Sequence, residues 1–119
     1  MEFDLDNRTF RVIQNDGPGA EVDEDTVFYF RQQEDVVQAE YFGGGVRLGT
    51  LVGILERNSV RHCYSQVNQA GELQIGRAHA ELRPSTEGRL QMVNQWEWED
   101  SAIHGLCVLE EFRDQRHDS

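Results

Sequence analysis

The side chains able to do chemistry in this sequence are dispersed. Cys63, Cys107 and Ser65 are available as nucleophiles, and His62, His79, His104 and His117 as bases, but no nucleophile elbow or comparable signature surrounds any of them. His62 and Cys63 are adjacent, so on a strand they face opposite ways and cannot chelate one metal together. His62 and His79 fall on neighbouring strands and could approach each other, yet two histidines without a third ligand make a weak metal site. Glu110 and Glu111 also point to opposite faces, which excludes the facing carboxylates of a glycosidase. The stretch GGVRLGT (44–50) has the glycine spacing of a phosphate loop without its lysine. The acidic run 21–25 lacks the ligand order and flanking helices of a calcium loop. No metal and no cofactor is expected, no catalytic residue is assigned, and the chain leans away from being an enzyme.

Composition narrows the partners. The 119 residues carry a formal net charge of −11, and all eleven basic residues are arginine. Residues 1–25 hold eight acids and two arginines, residues 26–98 eight acids and seven arginines, and residues 99–119 six acids and two arginines. The body is therefore near neutral and the ends carry the charge. A phosphate backbone requires a basic surface, and so does an anionic membrane surface; neither nucleic acid nor a membrane is an expected partner. Without lysine there is no Schiff-base chemistry. The acidic start, Met1-Glu2-Phe3-Asp4, has no apolar core of a signal peptide, and no apolar run is long enough to span a bilayer. Two cysteines and no export signal read as a cytoplasmic protein with reduced thiols.

The elements that must position these residues are strands. Period-two alternation predicts strands at 8–14, 26–33, 36–42, 46–56, 60–68, 72–80, 89–98 and 106–112, with a charged, disordered tail at 113–119. An acidic Gly/Pro loop covers 15–25, and Gly43-Gly44-Gly45 permits the positive φ of a tight turn. Gly49 and Gly53 share one face of the fourth strand, where glycine marks a bend or a close approach. No segment has a helical stripe. Short connections join neighbours antiparallel in sequence order, and closing the meander removes its two open edges. The expected fold is all-β: one domain over 1–119, a single antiparallel up-and-down meander of about eight strands closed into a barrel. A β-sandwich is the rival arrangement. Eight strands leave a lumen just wide enough for side chains or one small ligand.

Strand parity then nominates the lining. Val46, Leu48, Thr50, Val52 and Ile54 share a face of the fourth strand; Leu73, Ile75, Arg77 and His79 share one of the sixth. Leu90, Met92, Asn94, Trp96 and Trp98 align on the seventh, and Leu106, Val108, Glu110 and Phe112 on the eighth. On the fifth strand the apolar parity is ambiguous between Val60, His62, Tyr64, Gln66 and Asn68 and the alternate set Arg61, Cys63, Ser65 and Val67; the first is favoured as inward because it carries the aromatic ring. The candidate ligand-binding residues are Tyr64, Gln66, Arg77, His79, Asn94, Trp96 and Trp98, with His62 and Glu110 secondary. Apolar walls with a few convergent polar groups suit a small-molecule pocket. The same residues also suit a filled core, with Arg77 and Glu110 as an internal ion pair and the tryptophans as plugs.

The segments NRTFR (7–11), AEYFGGGVRLGTLVG (39–53), QVNQAGEL (66–73), GRLQMVNQWEW (88–98) and VLEEF (108–112) follow the layout of a known group. The chain resembles small bacterial proteins of avidin- or lipocalin-like barrel type that often carry the genome label "N-acetylglutamate synthase". The resemblance spans roughly residues 7–112 and implies a calycin-like barrel; it brings no functional residues with it. The acetyltransferase activity in that label would need a glycine-rich pyrophosphate loop at a helix start, and no such stretch is present. Three readings stay open: a barrel binding a small molecule in its lumen, a filled barrel acting through its surface or as a homodimer, and, less favoured, a small enzyme using His62 or His79 as base.

Overall fold

The structure is a computed structural model that describes residues 3–17, 21–99 and 101–112; the tail expected to be disordered lies outside them. Eight strands run in chain order: β1 (Arg8–Asp16), β2 (Val27–Gln33), β3 (Val36–Gly43), β4 (Val46–Glu56), β5 (Ser59–Asn68), β6 (Leu73–Pro84), β7 (Leu90–Trp98) and β8 (His104–Phe112). Each pairs antiparallel with the next, and β8 returns to β1 to close the barrel. Among the described residues there is no helix, and hence none long and apolar enough to cross a membrane. The expected meander is present, and it is closed. Gly43 and Gly44 adopt φ of 110° and 61° in the β3–β4 turn, which only glycine does readily.

β6 runs four residues past its expected end because Ala80 and Leu82 continue the inward alternation and pair with β7 up to Pro84↔Leu90. Pro84, which has no N–H to give the ladder, is the last residue of the strand. The last residues of β1, Gln14 to Asp16, pair with β8 alone. The space this leaves beside β2 is crossed by residues 21–26.

One end of the barrel is filled. Leu5, Phe10, Phe30, Val37, Val60 and Leu82 are all at most 2% exposed, and Phe10 meets Phe30 edge to face at 5.1 Å, a favoured aromatic geometry. Leu5 is tied down by its own N–H, which donates to Gln32 Oε1 at 2.8 Å, and by Asp6 Oδ1, which accepts from the Gln32 N–H at 2.9 Å.

Parity differs from expectation on three strands. A register shift between Val46 and Leu48, a β-bulge, moves β4 to the other parity, so that Gly49, Leu51 and Gly53 face inward and Leu48, Val52 and Ile54 face out. On β6 the inward residues are Gly76, Ala78, Ala80 and Leu82, because the lumen is crowded by rings from the adjoining strands. A side chain at Gly76 would run into the Tyr64 ring. Leu73, Ile75, Arg77 and His79 therefore lie outside. On β8, Cys107 and Leu109 belong to the core, and Glu110 does not.

Gly49 shows the crowding most directly. A Cβ there would overlap the Tyr41 ring, which stacks on Phe28 at 4.4 Å and donates its hydroxyl hydrogen to Gln66 Oε1 at 2.8 Å. Gly49→Ala must displace that ring. Overpacking of this kind costs about 1–3 kcal/mol, read as a lower urea midpoint at unchanged slope; a variant as stable as the parent would contradict the packing described.

Candidate lumen site

The half of the barrel opposite the plug is walled by rings and left partly open. A cavity of about 60 Å³ lies among Phe28, Tyr41, Tyr64, Trp96 and Trp98, with Leu51, Met92 and Leu109 below them. By comparison, a dry cavity of roughly 150 Å³ admits benzene. As it stands, then, this space takes a few atoms, and anything larger must extend toward the loops. Those loops join β1 to β2, β3 to β4, β5 to β6 and β7 to β8. Trp96 and Trp98 approach at 5.5 Å and Tyr64 meets Trp98 edge-on at 5.7 Å.

Residues 21–26 partly roof this end. Asn15 holds them through its side-chain amide: Nδ2 donates to Val22 O at 2.7 Å while Oδ1 accepts from Trp96 Nε1 at 3.0 Å. Asn68 Nδ2 donates to Glu21 Oε2 at 3.0 Å and to Glu72 Oε1 at 2.8 Å. The Thr26 hydroxyl donates to Gly43 O at 2.9 Å.

Most polar groups inside are committed to one another. Tyr41 donates to Gln66, and Gln66 Nε2 passes the chain on to Gln74 Oε1 at 3.0 Å. The Tyr64 hydroxyl donates to Glu97 O at 3.2 Å. His62 Nε2 lies 2.9 Å from Asn94 Oδ1, and its Nδ1 is buried with no hydrogen-bond partner among the described residues. Desolvation dominates the electrostatics. Burial pushes the hydroxyls of Tyr41 and Tyr64 well above the ordinary tyrosine value, with smaller contributions from neighbouring groups. It also drives the Cys107 thiol up to about 12. Burial lowers His62 below its usual value, and the Asn94 hydrogen bond only partly opposes this. At neutral pH these groups are uncharged, and a thiol so protonated is no nucleophile.

Of the candidates named from sequence, His62, Tyr64, Gln66, Asn94, Trp96 and Trp98 all line this cavity. Arg77, His79 and Glu110 do not. Arg77 and His79 are exposed on the outer face of β6. Arg77 Nε donates to Glu97 Oε1 at 2.9 Å, so the internal Arg77–Glu110 pair is replaced by a surface one. Glu110 accepts from Gln91 Nε2 at 2.8 Å. His62 and His79 point to opposite sides of the wall. Among the described residues no cluster of three metal-ligating side chains occurs. Sequence reasoning overlooked Phe28, Tyr41 and Cys107, although the F-x-F and A-x-Y alternations of β2 and β3 signalled the first two. Asn15, Glu21 and Val22 come from loop or strand-end positions that carry no periodic signal.

An eight-stranded closed meander of this width has an interior that side chains fill or that holds one small ligand. The sequence profile of a family described as avidin-like protein matches residues 3–112. The chain belongs to that avidin-like family, whose barrels typically bind small molecules. No curated protein and no solved structure matches it.

The buried imidazole makes stability depend on pH. The folded-state pKa of His62 lies below the ordinary value of 6.5, so as pH falls through that value the unfolded chain binds a proton that the folded protein refuses. Stability then falls toward acid until the folded His62 itself titrates. Denaturant titrations at pH 7.5 and 5.5 should show the native chain losing more stability than His62→Gln; equal losses would place His62 in a wetter environment than described.

Proposed function

We propose that this protein binds a small, predominantly apolar molecule in the loop-side half of its lumen. One observation carries the reading: rings and aliphatic chains wall an open space in one half of a barrel whose other end is packed with buried apolar side chains. A purely structural barrel gains by packing its core to full density, since unfilled space forfeits contacts. No arginine lines the cavity, and its one acid, Glu21, sits at the loop end bonded to Asn68. A ligand carrying a net charge would thus enter without a counter-charge.

Both tryptophans of the chain line the cavity, so their emission reports on its contents. A screen of uncharged fragments should find molecules that shift it, and native mass spectrometry should show a bound mass. Ala78 also lines the cavity. Ala78→Val should abolish the response while the chain stays folded, at a cost of about 1–3 kcal/mol for overpacking. Arg77→Ala, on the outside, should leave binding intact and change stability by less than about 1 kcal/mol, as loss of a surface pair does. A lumen that answers to no fragment, or a response that survives Ala78→Val, would overturn the assignment.

A second reading rests on a different face. Outward residues of β4 and β6 leave Leu48, Val52, Ile54, Leu73 and Ile75 exposed, with Val36 beside them. Contiguous apolar surface of this kind marks an interaction site. The second copy of this chain fits it best, because the strongly acidic segments lie at the chain's ends and the strands between them are near neutral. Cys63 is exposed in the same face, opposite Val52 on β4, while Cys107 is buried. A short bis-maleimide should therefore crosslink two chains through Cys63, and Val52→Arg should abolish both the crosslink and the dimer seen in analytical ultracentrifugation. A monomer at all concentrations would remove this reading and leave the lumen untouched.

A further inference from the structure

We infer that the lumen's ligand presents an uncharged hydrogen-bond donor, an N–H or O–H, to Nδ1 of His62. This rests on reading the lumen as a ligand site and says what chemistry the occupant has.

The inference follows from the inventory of polar atoms. An amide oxygen only accepts, so the 2.9 Å contact between Asn94 Oδ1 and His62 Nε2 places the ring hydrogen on Nε2. Nδ1 is then a bare lone pair, an acceptor. It is buried without a partner among the described residues, and leaving a buried acceptor unmet costs free energy that a donor recovers. Several other polar groups around the cavity are already engaged: Tyr41 with Gln66, Tyr64 with the Glu97 carbonyl, Trp96 with Asn15. Among the described residues, Nδ1 is thus the buried side-chain polar atom left without a partner, and what it demands is a donor.

The demand also selects against alternatives. A carboxylate or phosphate would set its own lone pairs against Nδ1, with no arginine in the lining to offset them. A furan- or ether-like oxygen would likewise oppose acceptor to acceptor. Nδ1 has no exposed surface of its own, so contact with a donor requires the imidazole to turn toward the cavity that His62 lines. With about 60 Å³ to occupy, the donor must sit on a compact head, and any larger part of the molecule lies toward Trp98 and the loops.

Pyrrole and furan test this directly. They share size and shape, and only pyrrole carries an N–H. Titrated against the intact chain, with tryptophan emission for affinity and isotope-labelled histidine for the NMR signal of Nδ1, pyrrole should bind about 10-fold more tightly than furan. Pyrrole alone should move the Nδ1 resonance. The preference should vanish in His62→Leu; should that variant not fold, the Nδ1 resonance of the native chain still decides. Equal affinities, or an Nδ1 signal that pyrrole leaves unmoved, would overturn the donor inference while the lumen reading stands. If neither compound perturbs the tryptophans, the lumen reading falls and this inference with it.

Discussion

The interior of an eight-stranded barrel is only as wide as the side chains that fill it, and every other feature of this chain answers to that limit. Two rings cannot occupy one level of the lumen unless a strand nearby contributes almost nothing. Hence Gly49 stands against Tyr41 and Gly76 against Tyr64, while Ala78 and Ala80 make the inward face of β6 thin where the rings of β5 and β7 project. The glycines and alanines are the complement of the aromatic residues. Together they set the wall's composition: bulk enters from β2, β3, β5 and β7, and room is made by β4 and β6.

The same limit explains what could be read from the sequence. Strand number, order and closure were legible because alternation needs only one polar and one apolar position in turn, and eight such segments with short turns have few ways to pair. Parity on β7 was legible because Trp96 and Trp98 mark the inward set; on β5 the apolar residues left it ambiguous, and only the rings of His62 and Tyr64 favoured the set that is inward. On β4 and β6 the usual rule reverses. The larger apolar residues, Val52, Ile54, Leu73 and Ile75, are outside, because the inward positions there had to be small. A reading that seeks the most hydrophobic face chooses the wrong one, and on β4 the bulge after Val46 shifts the parity besides. Arg77 and His79 were carried inward by that error, and with them the supposed pairing to Glu110. The loop contribution of Asn15, Glu21 and Val22 had no signal at all, since it depends on β1 parting from β2 after Arg11.

Crowding has an electrostatic consequence as well. A lumen lined by rings and aliphatic chains is a poor solvent for charge, and each ionisable group within it is pushed toward its neutral form: tyrosine hydroxyls and the Cys107 thiol upward, His62 downward. The chain's net charge is concentrated at its acidic ends. A neutral interior leaves hydrogen-bond matching as the means of polar recognition there, and a match in low dielectric is worth more than the same match in water.

His62 is where these constraints meet. A core that required only stability would place leucine or phenylalanine at this level, as the plugged end of the same barrel does with Leu82 and Phe30. An imidazole brings two nitrogens to be satisfied and side-chain carbons that pack no better. Asn94 satisfies one of them, and the pair therefore fixes the ring's tautomer while leaving the second nitrogen unmet. His62 is thus a residue oriented by a dedicated partner, in the wall of a cavity in the core cluster. An unmet buried acceptor costs free energy that only a donor can recover, so a cavity that keeps one trades stability for the capacity to discriminate by hydrogen bonding.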